Sequence, residues 1–142
     1  MEEAESVRRS AARLQQRGYE LPVAFCHGTF GTGSWRWNIQ SQTLSLSNVE
    51  RAEVLPAVCD FARSASLWDT HTHLAESFLT AYGRQLDDTE QLVLFDAALL
   101  AAVEDVHHAL VLRDGDALST ARSALRETVR RRSSADRREE WS

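Results

Sequence analysis

The sequence predicts an α+β fold, mainly α: a small β-hairpin unit with a helix ahead of it and four helices behind. Residues 35–49 alternate apolar and polar positions on both sides of a polar turn, which is the two-residue period of a hairpin. From residue 55 onward the apolar residues recur at spacings of three and four, the period of helices with one buried face. No segment repeats, so a repeat architecture is excluded.

Taken in order, residues 2–17 read as a helix with a modest apolar face (Val7, Ala11, Leu14) closed by Gly18. The run LPVAFCH at 21–27, bounded by Pro22 and Gly28, reads as a buried strand or extended segment, and GTFGTGS at 28–34 as a glycine-rich turn. In the hairpin, Trp35, Trp37 and Ile39 alternate with Arg36 and Asn38, then Leu44, Leu46 and Asn48 with Ser45 and Ser47. A helix over 55–65 is expected to carry Pro56 in its first turn, where the missing N–H is harmless. Asp69 or Thr70 caps the next helix, which carries Leu74, Phe78, Leu79 and Tyr82 and ends at Gly83. Asp87 or Asp88 caps the longest helix, about 89–112, whose stripe Leu92, Phe95, Leu99, Val103, Val106 and Leu110 predicts one buried face. Asp114-Gly115-Asp116 is a turn. The last helix, 117–132, is expected to bury Leu118, Ala121, Leu125 and Val129 with its arginines outside. This gives one domain over 1–132, divided into an N-terminal helix (1–18), a loop and hairpin (21–50) and a helical part (54–132). Residues 133–142 lack periodicity and read as a mobile tail.

A chain of 142 residues with 43% hydrophobic content suffices for one core. The net charge of −5 argues against nucleic-acid binding, which needs a basic surface. All 16 basic residues are Arg, so Schiff-base chemistry and lysine-based phosphate binding are excluded. Cys26 and Cys59 match no metal pattern. No secretion signal and no run of ~20 apolar residues is present, so a soluble cytoplasmic protein is expected, with no membrane partner, no metal and no cofactor.

CHGTFGTGSWRW at 26–37 resembles the catalytic loop of the aminoglycoside phosphotransferase family, small-molecule kinases with a protein-kinase-like fold. That loop is His-Gly-Asp, four residues, then Asn, often with a Trp opening a hairpin that returns to an Ile-Asp-Phe-Glu type segment and a Pro-led helix containing Asp. His27, Gly28 and Trp35 match, as do Glu50-Arg51-Ala52 and Pro56 through Asp60. The resemblance spans about residues 20–130 and implies a kinase-like C-terminal lobe. Only 26 residues precede His27, fewer than the roughly sixty that a five-stranded nucleotide lobe needs, so that lobe is expected to be absent.

The same alignment implies that the kinase chemistry is lost. Thr29 stands where the loop Asp orients the attacking hydroxyl, and Ser34 where the loop Asn holds metal. Asn48 stands where a carboxylate should bind Mg²⁺, or Ser47 if the register slips by one. Asp60 matches the Asp that fixes the loop from behind through backbone hydrogen bonds. Thr29, Arg36, Glu50 and Arg51 would border the old acceptor cleft, and Trp35 and Trp37 an exposed partner surface.

Other constellations have simple structural readings. Cys26 and His27 are adjacent in an extended segment and point apart. Asp69, His71, His73 and Glu76 read as a solvated helix start; Glu104, His107 and His108 sit on the long helix, where His107 continues the secondary stripe Val93, Ala97, Leu100 and Glu104 and is expected at the core's edge. Arg122, Arg126, Arg130, Arg131 and Arg132 read as a solvated face or a stripe for an acidic peptide.

The expected function is therefore a degenerate, non-kinase protein that binds or scaffolds a protein or peptide, homodimerisation included, in natural-product biosynthesis. The alternative is a cyclase closing thioether rings in a lanthipeptide-like peptide, with His27, Glu50 and Asp60 as the titratable groups near the loop. A small-molecule sensor that binds without turnover is a third reading.

Overall fold

Helix α1 (Glu2–Arg17) presents serines, not large apolar residues, to the body of the protein: Ser6 and Ser10 are buried while Ala11 is exposed. The structure, a computed structural model, describes residues 2–65, 68 and 71–139. After α1 come strand β1 (Val23–Cys26), hairpin strands β2 (Trp35–Asn38) and β3 (Thr43–Leu46), and strand β4 (Glu53–Pro56). Helices α2 (Val58–Ala65), α3 (Thr72–Tyr82), α4 (Asp88–Leu112) and α5 (Gly115–Glu139) complete the chain. The class is α+β, mainly helical, with two separate two-stranded antiparallel sheets.

β2 and β3 pair in the expected hairpin, with Trp35 opposite Leu46 and Trp37 opposite Leu44. β1 pairs with β4, Val23 opposite Pro56 and Cys26 opposite Glu53. Pro56 therefore closes a strand and is not in the first helical turn, and α2 begins two residues later. A proline is tolerated at a strand end because no ladder donor is needed there; the next amide, Ala57 N, donates to Pro22 O at 2.8 Å. The run at 21–27 is also less buried than its composition suggests. Ala24 and Cys26 face inward, but Val23 and Phe25 are exposed, since a two-stranded ribbon has only one face against the helices.

The core lies between α2 and α4. Phe61, Val58, Ala62 and Ala65 meet Val93, Leu94, Ala97 and Ala101, with Leu21 and Leu86 at the ends. α4 begins with a reciprocal capping box: Glu90 N donates to Asp87 Oδ1 at 2.8 Å, and Asp87 N to Glu90 Oε2 at 3.0 Å. The buried Glu90 carboxylate is held further by Arg84, whose Nη1 and Nη2 lie 2.6 and 2.8 Å away; that hydrogen bonding raises the already high Arg84 pKa. Gly83 ends α3 at φ 88°, and Asp114 caps α5, accepting from Ala117 N at 2.9 Å. The candidate caps of α3, Asp69 and Thr70, lie outside the described residues.

Two readings of the helical faces are corrected. Of the stripe expected to be buried on α4, only Leu99 is; Leu92 and Leu110 are exposed. α4 is central, packed against α1, α2 and α5, so its contact surfaces are alanines that let three neighbours approach closely. On α5 the buried stripe runs through Val129 to Arg132, so Arg132 faces inward instead of joining the solvated arginines. The helix also continues through 133–139, where no periodicity marks a face; residues 140–142 lie outside the described residues.

Arg132 faces Asp96, a fully buried carboxylate on α4. Asp96 Oδ1 accepts from Ser10 Oγ at 2.7 Å, and Arg13 spans both carboxylate oxygens, Nε to Oδ2 at 2.9 Å and Nη2 to Oδ1 at 2.7 Å. Arg132 Nε lies 3.5 Å from Oδ1. One carboxylate thus joins α1, α4 and α5. Removing one partner of such a buried pair is far more damaging than never having had it. Asp96→Ala, which takes the shared acceptor from both guanidinium groups, is expected to lower stability by about 3–5 kcal/mol in urea unfolding. Arg8→Ala, in an exposed pair with Glu5, should change it by less than about 1 kcal/mol.

Candidate functional site

The loop after β1 is shaped by α2. Asp60, in the first turn of that helix, accepts from His27 N at 2.8 Å and Gly28 N at 3.1 Å, one carboxylate oxygen to each amide. Arg63, one turn further, donates from Nη1 to Gly28 O at 3.4 Å and from Nη2 to Glu104 and Asp105 of α4 at 3.2 and 3.1 Å. α2 therefore clasps both polar groups of the same loop residue. Gly28 has φ 81°, and a Cβ there would lie 2.6 Å from Arg51 O, so the position admits only glycine without rearrangement.

His27 is oriented from two sides. Its Nε2 lies 2.7 Å from Ser47 O, and since a carbonyl can only accept, Nε2 carries the proton. In the neutral ring Nδ1 is then the acceptor, 3.4 Å from Thr29 Oγ1. Ser34 is buried; its Oγ donates to Thr29 O at 2.7 Å, and its carbonyl accepts from Ser47 N at 2.9 Å. Asn48 adopts a left-handed conformation, φ 64°, at the entrance to a 3₁₀ turn, Val49–Arg51. Phe30 leaves the loop and packs its ring against Trp35 and against Phe78 of α3, at 5.4 and 5.9 Å.

A cleft of about 960 Å³ opens in front of this loop. Thr29, Gly31, Ser34, Trp35, Asn48 and Arg51 form one wall. The opposite wall belongs to the helices: Ala98, Ala101 and Ala102 of α4, Ala124 and Glu127 of α5, with Ser77 and Phe78 of α3 at one side. Two of the cations around it face carboxylates, Arg63 against Glu104 and Asp105, and Arg131 against Glu127 at 3.1 Å.

Of the residues singled out in the sequence, Thr29, Ser34, Trp35, Asn48, Arg51, Glu104, His108 and Arg131 border this cleft; His27, Glu50, Asp60, Arg36 and Trp37 do not line it, and His107 is exposed instead of at the core's edge. Asp60 sits behind the loop with both oxygens bonded to amides, Glu50 is exposed in the 3₁₀ turn, and Arg36 and Trp37 are exposed on the hairpin. His71, His73 and Glu76 are exposed, with the two imidazole rings 6.0 Å apart; Asp69 is outside the described residues. Among the described residues no group of three or more His, Cys, Asp or Glu is placed to hold a metal ion, and no helix is long and apolar enough to cross a membrane. Arg63 and the alanine wall were not anticipated. Arg63 could have been noticed because it follows Asp60 by three positions, on the same helix face.

Cys26 is buried with Sγ 3.7 Å from the carbonyls of Leu55 and Pro56. Burial, with the Asp60 charge adding to it, pushes its thiol up to about 11, and burial likewise raises Cys59. Both thiols are free. Held protonated near neutral pH, they make poor nucleophiles.

No protein-family model, no curated protein and no solved structure matches the chain.

The clasp makes a specific demand at Gly28. Gly28→Ala is expected to lose about 2 kcal/mol or more, through left-handed strain and the collision with Arg51 O, in urea unfolding. Gly33→Ala, with open space around its Cβ, should lie within about 1 kcal/mol of the parent protein.

Proposed function

We propose that the chain is a degenerate relative of the aminoglycoside phosphotransferases, a kinase-like C-terminal lobe without kinase activity. In this reading it binds a protein or peptide partner in the cytoplasm, in a natural-product pathway. The observation that carries it is the division of charge across the loop. The carboxylate of Asp60 is kept behind the loop, where it only shapes the backbone. In front, at the positions facing the cleft, stand Thr29, Ser34 and Asn48. Phosphoryl transfer depends on charge control around metal and phosphates. A hydroxyl, a second hydroxyl already bonded to Thr29 O, and an amide supply little of it.

The cleft suits an extended segment with small side chains. Its helical wall is alanine, its loop wall offers hydroxyls, glycine backbone and the Arg51 guanidinium, and Arg63 and Arg131 at its rim are paired with carboxylates. In a thermal-shift titration, millimolar Mg-ATP is expected to leave the melting temperature unchanged. A panel of fluorescein-labelled peptides rich in Ser, Thr and Cys should give saturable anisotropy changes. Ala124→Phe, which places a ring in the cleft from an exposed position on α5, should weaken them tenfold or more. Saturable, magnesium-dependent nucleotide binding would overturn this reading.

One contact favours the second reading, a cyclase. Thr29 borders the cleft and lies within 3.4 Å of His27 Nδ1, the unprotonated nitrogen, so a proton could pass from the cleft to the imidazole through one hydroxyl. Ring closure would add a peptide thiol across the double bond of a dehydrated Ser or Thr residue. The thiol proton would go to the base and return to the enolate carbon. On this reading Asp60 is a positioning residue, not a proton donor. Incubating a dehydrated, Cys-containing peptide with the protein should then consume free thiol without mass change, and His27→Gln should abolish the acceleration. Equal rates with and without His27 would remove the cyclase.

A further inference from the structure

The β2–β3 hairpin has a polar face and an apolar face, and beyond Trp35, which packs on Phe30, the apolar face is open. Arg36 opposite Ser45 and Asn38 opposite Thr43 form the polar face. Trp35 opposite Leu46 and Trp37 opposite Leu44 form the other, with Ile39 beside them at the turn. A one-sided antiparallel pair ordinarily lays its apolar face on the protein core. Here Trp37 is 61% exposed, Leu44 58% and Ile39 81%. A lone two-stranded hairpin is marginally stable in water, so a cover for this face would stabilise the strands themselves.

We infer that this face is covered by the same face of a second copy of the chain. Three properties point to self-association. The row of tryptophans on β2 lies beside a row of leucines on β3, and a two-fold axis through the face would set the large row of one copy on the smaller row of the other. The face carries no charged residue, so two chains of net charge −5 meet there without apposing like charges. Its exposed fractions amount to at most roughly 600 Å² per copy, backbone included, so a pair would bury up to roughly 1,200 Å², at the lower end of specific interfaces. Trp35 anchors the face to the body of the domain through the ring of Phe30. The inference does not depend on what the cleft binds.

Size-exclusion chromatography with light scattering, at about 10 and about 100 μM, tests it. The parent protein is expected to approach twice the 16.0 kDa chain mass at the higher concentration, with its tryptophan emission shifting to shorter wavelength as it associates. The double variant Trp37→Ser/Leu44→Ser should elute at the chain mass with its helical circular dichroism intact. Should that variant lose its helical signal, Ile39→Lys, at an exposed turn position, is the replacement and should equally give the monomer. A parent protein that stays monomeric at about 100 μM overturns the inference, whether or not another macromolecule binds the face. A dimer that survives the folded variants overturns it too, by placing the interface elsewhere.

Discussion

A carboxylate with no exposure to solvent stands at the junction of three helices. Asp96 is met by hydrogen bonds from Ser10 and Arg13 of α1 and by the guanidinium charge of Arg132 from α5, because a carboxylate in an apolar interior is tolerable only when it is paired and hydrogen-bonded. Such a group contributes little net stability compared with a well-packed hydrophobe, yet it permits few alternative arrangements. The rotation and axial register of α1 and α5 about α4 are set by the need to bring those donors to one point. The planar guanidinium fork suits this role better than an ammonium, and this chain uses arginine for every cation.

From α4 the constraint passes to the loop. α4 packs its alanines and Val93 against Phe61 and Val58 of α2, and α2 in turn holds Asp60 and Arg63 toward the loop. Arg63 closes the circuit by bonding back to Glu104 and Asp105 of α4. The backbone at His27 and Gly28 is therefore determined by Asp60 from behind and by Arg63 at the rim of the cleft, not by the side chains at the front of the loop. This separates the shape of the site from its charge. The side chains at the front of the loop can therefore change without the loop losing its path.

Features determined by neighbours in the chain were legible in the sequence, and features determined by distant partners were not. The hairpin register follows from alternation and a polar turn, Gly83 from its place after the last apolar helical residue, and the start of α4 from the Asp87-Asp88 pair, of which the structure uses Asp87. By contrast, the buried face of α4 cannot be chosen by side-chain size alone. Leucines mark where apolar volume is present, whereas a helix surrounded by three others is recognised by alanines. Arg132 was misassigned because its polarity outweighed its position one turn beyond Val129. Pro56 was misassigned because β4 has meaning only once β1 lies beside it. In the site, Asp60 was visible through the loop motif that it supports. The Ser47 carbonyl that fixes the His27 tautomer was not, since every residue carries a carbonyl and only folding selects one.

That carbonyl links the hairpin to the loop. Ser47 follows β3 directly; its amide and hydroxyl both donate to Ser34 O, at 2.9 and 3.3 Å, while its own carbonyl receives His27 Nε2. The orientation of the imidazole, and through Nδ1 its approach to Thr29, therefore depends on how firmly β2 and β3 are held together. Beyond the contact of Trp35 with Phe30 the tryptophan face of the hairpin is largely exposed, and a cover on it would restrain the strands. Association through that face and occupancy of the cleft would then be thermodynamically coupled, each favouring the other, because both draw on the same ordering of residues 34–47.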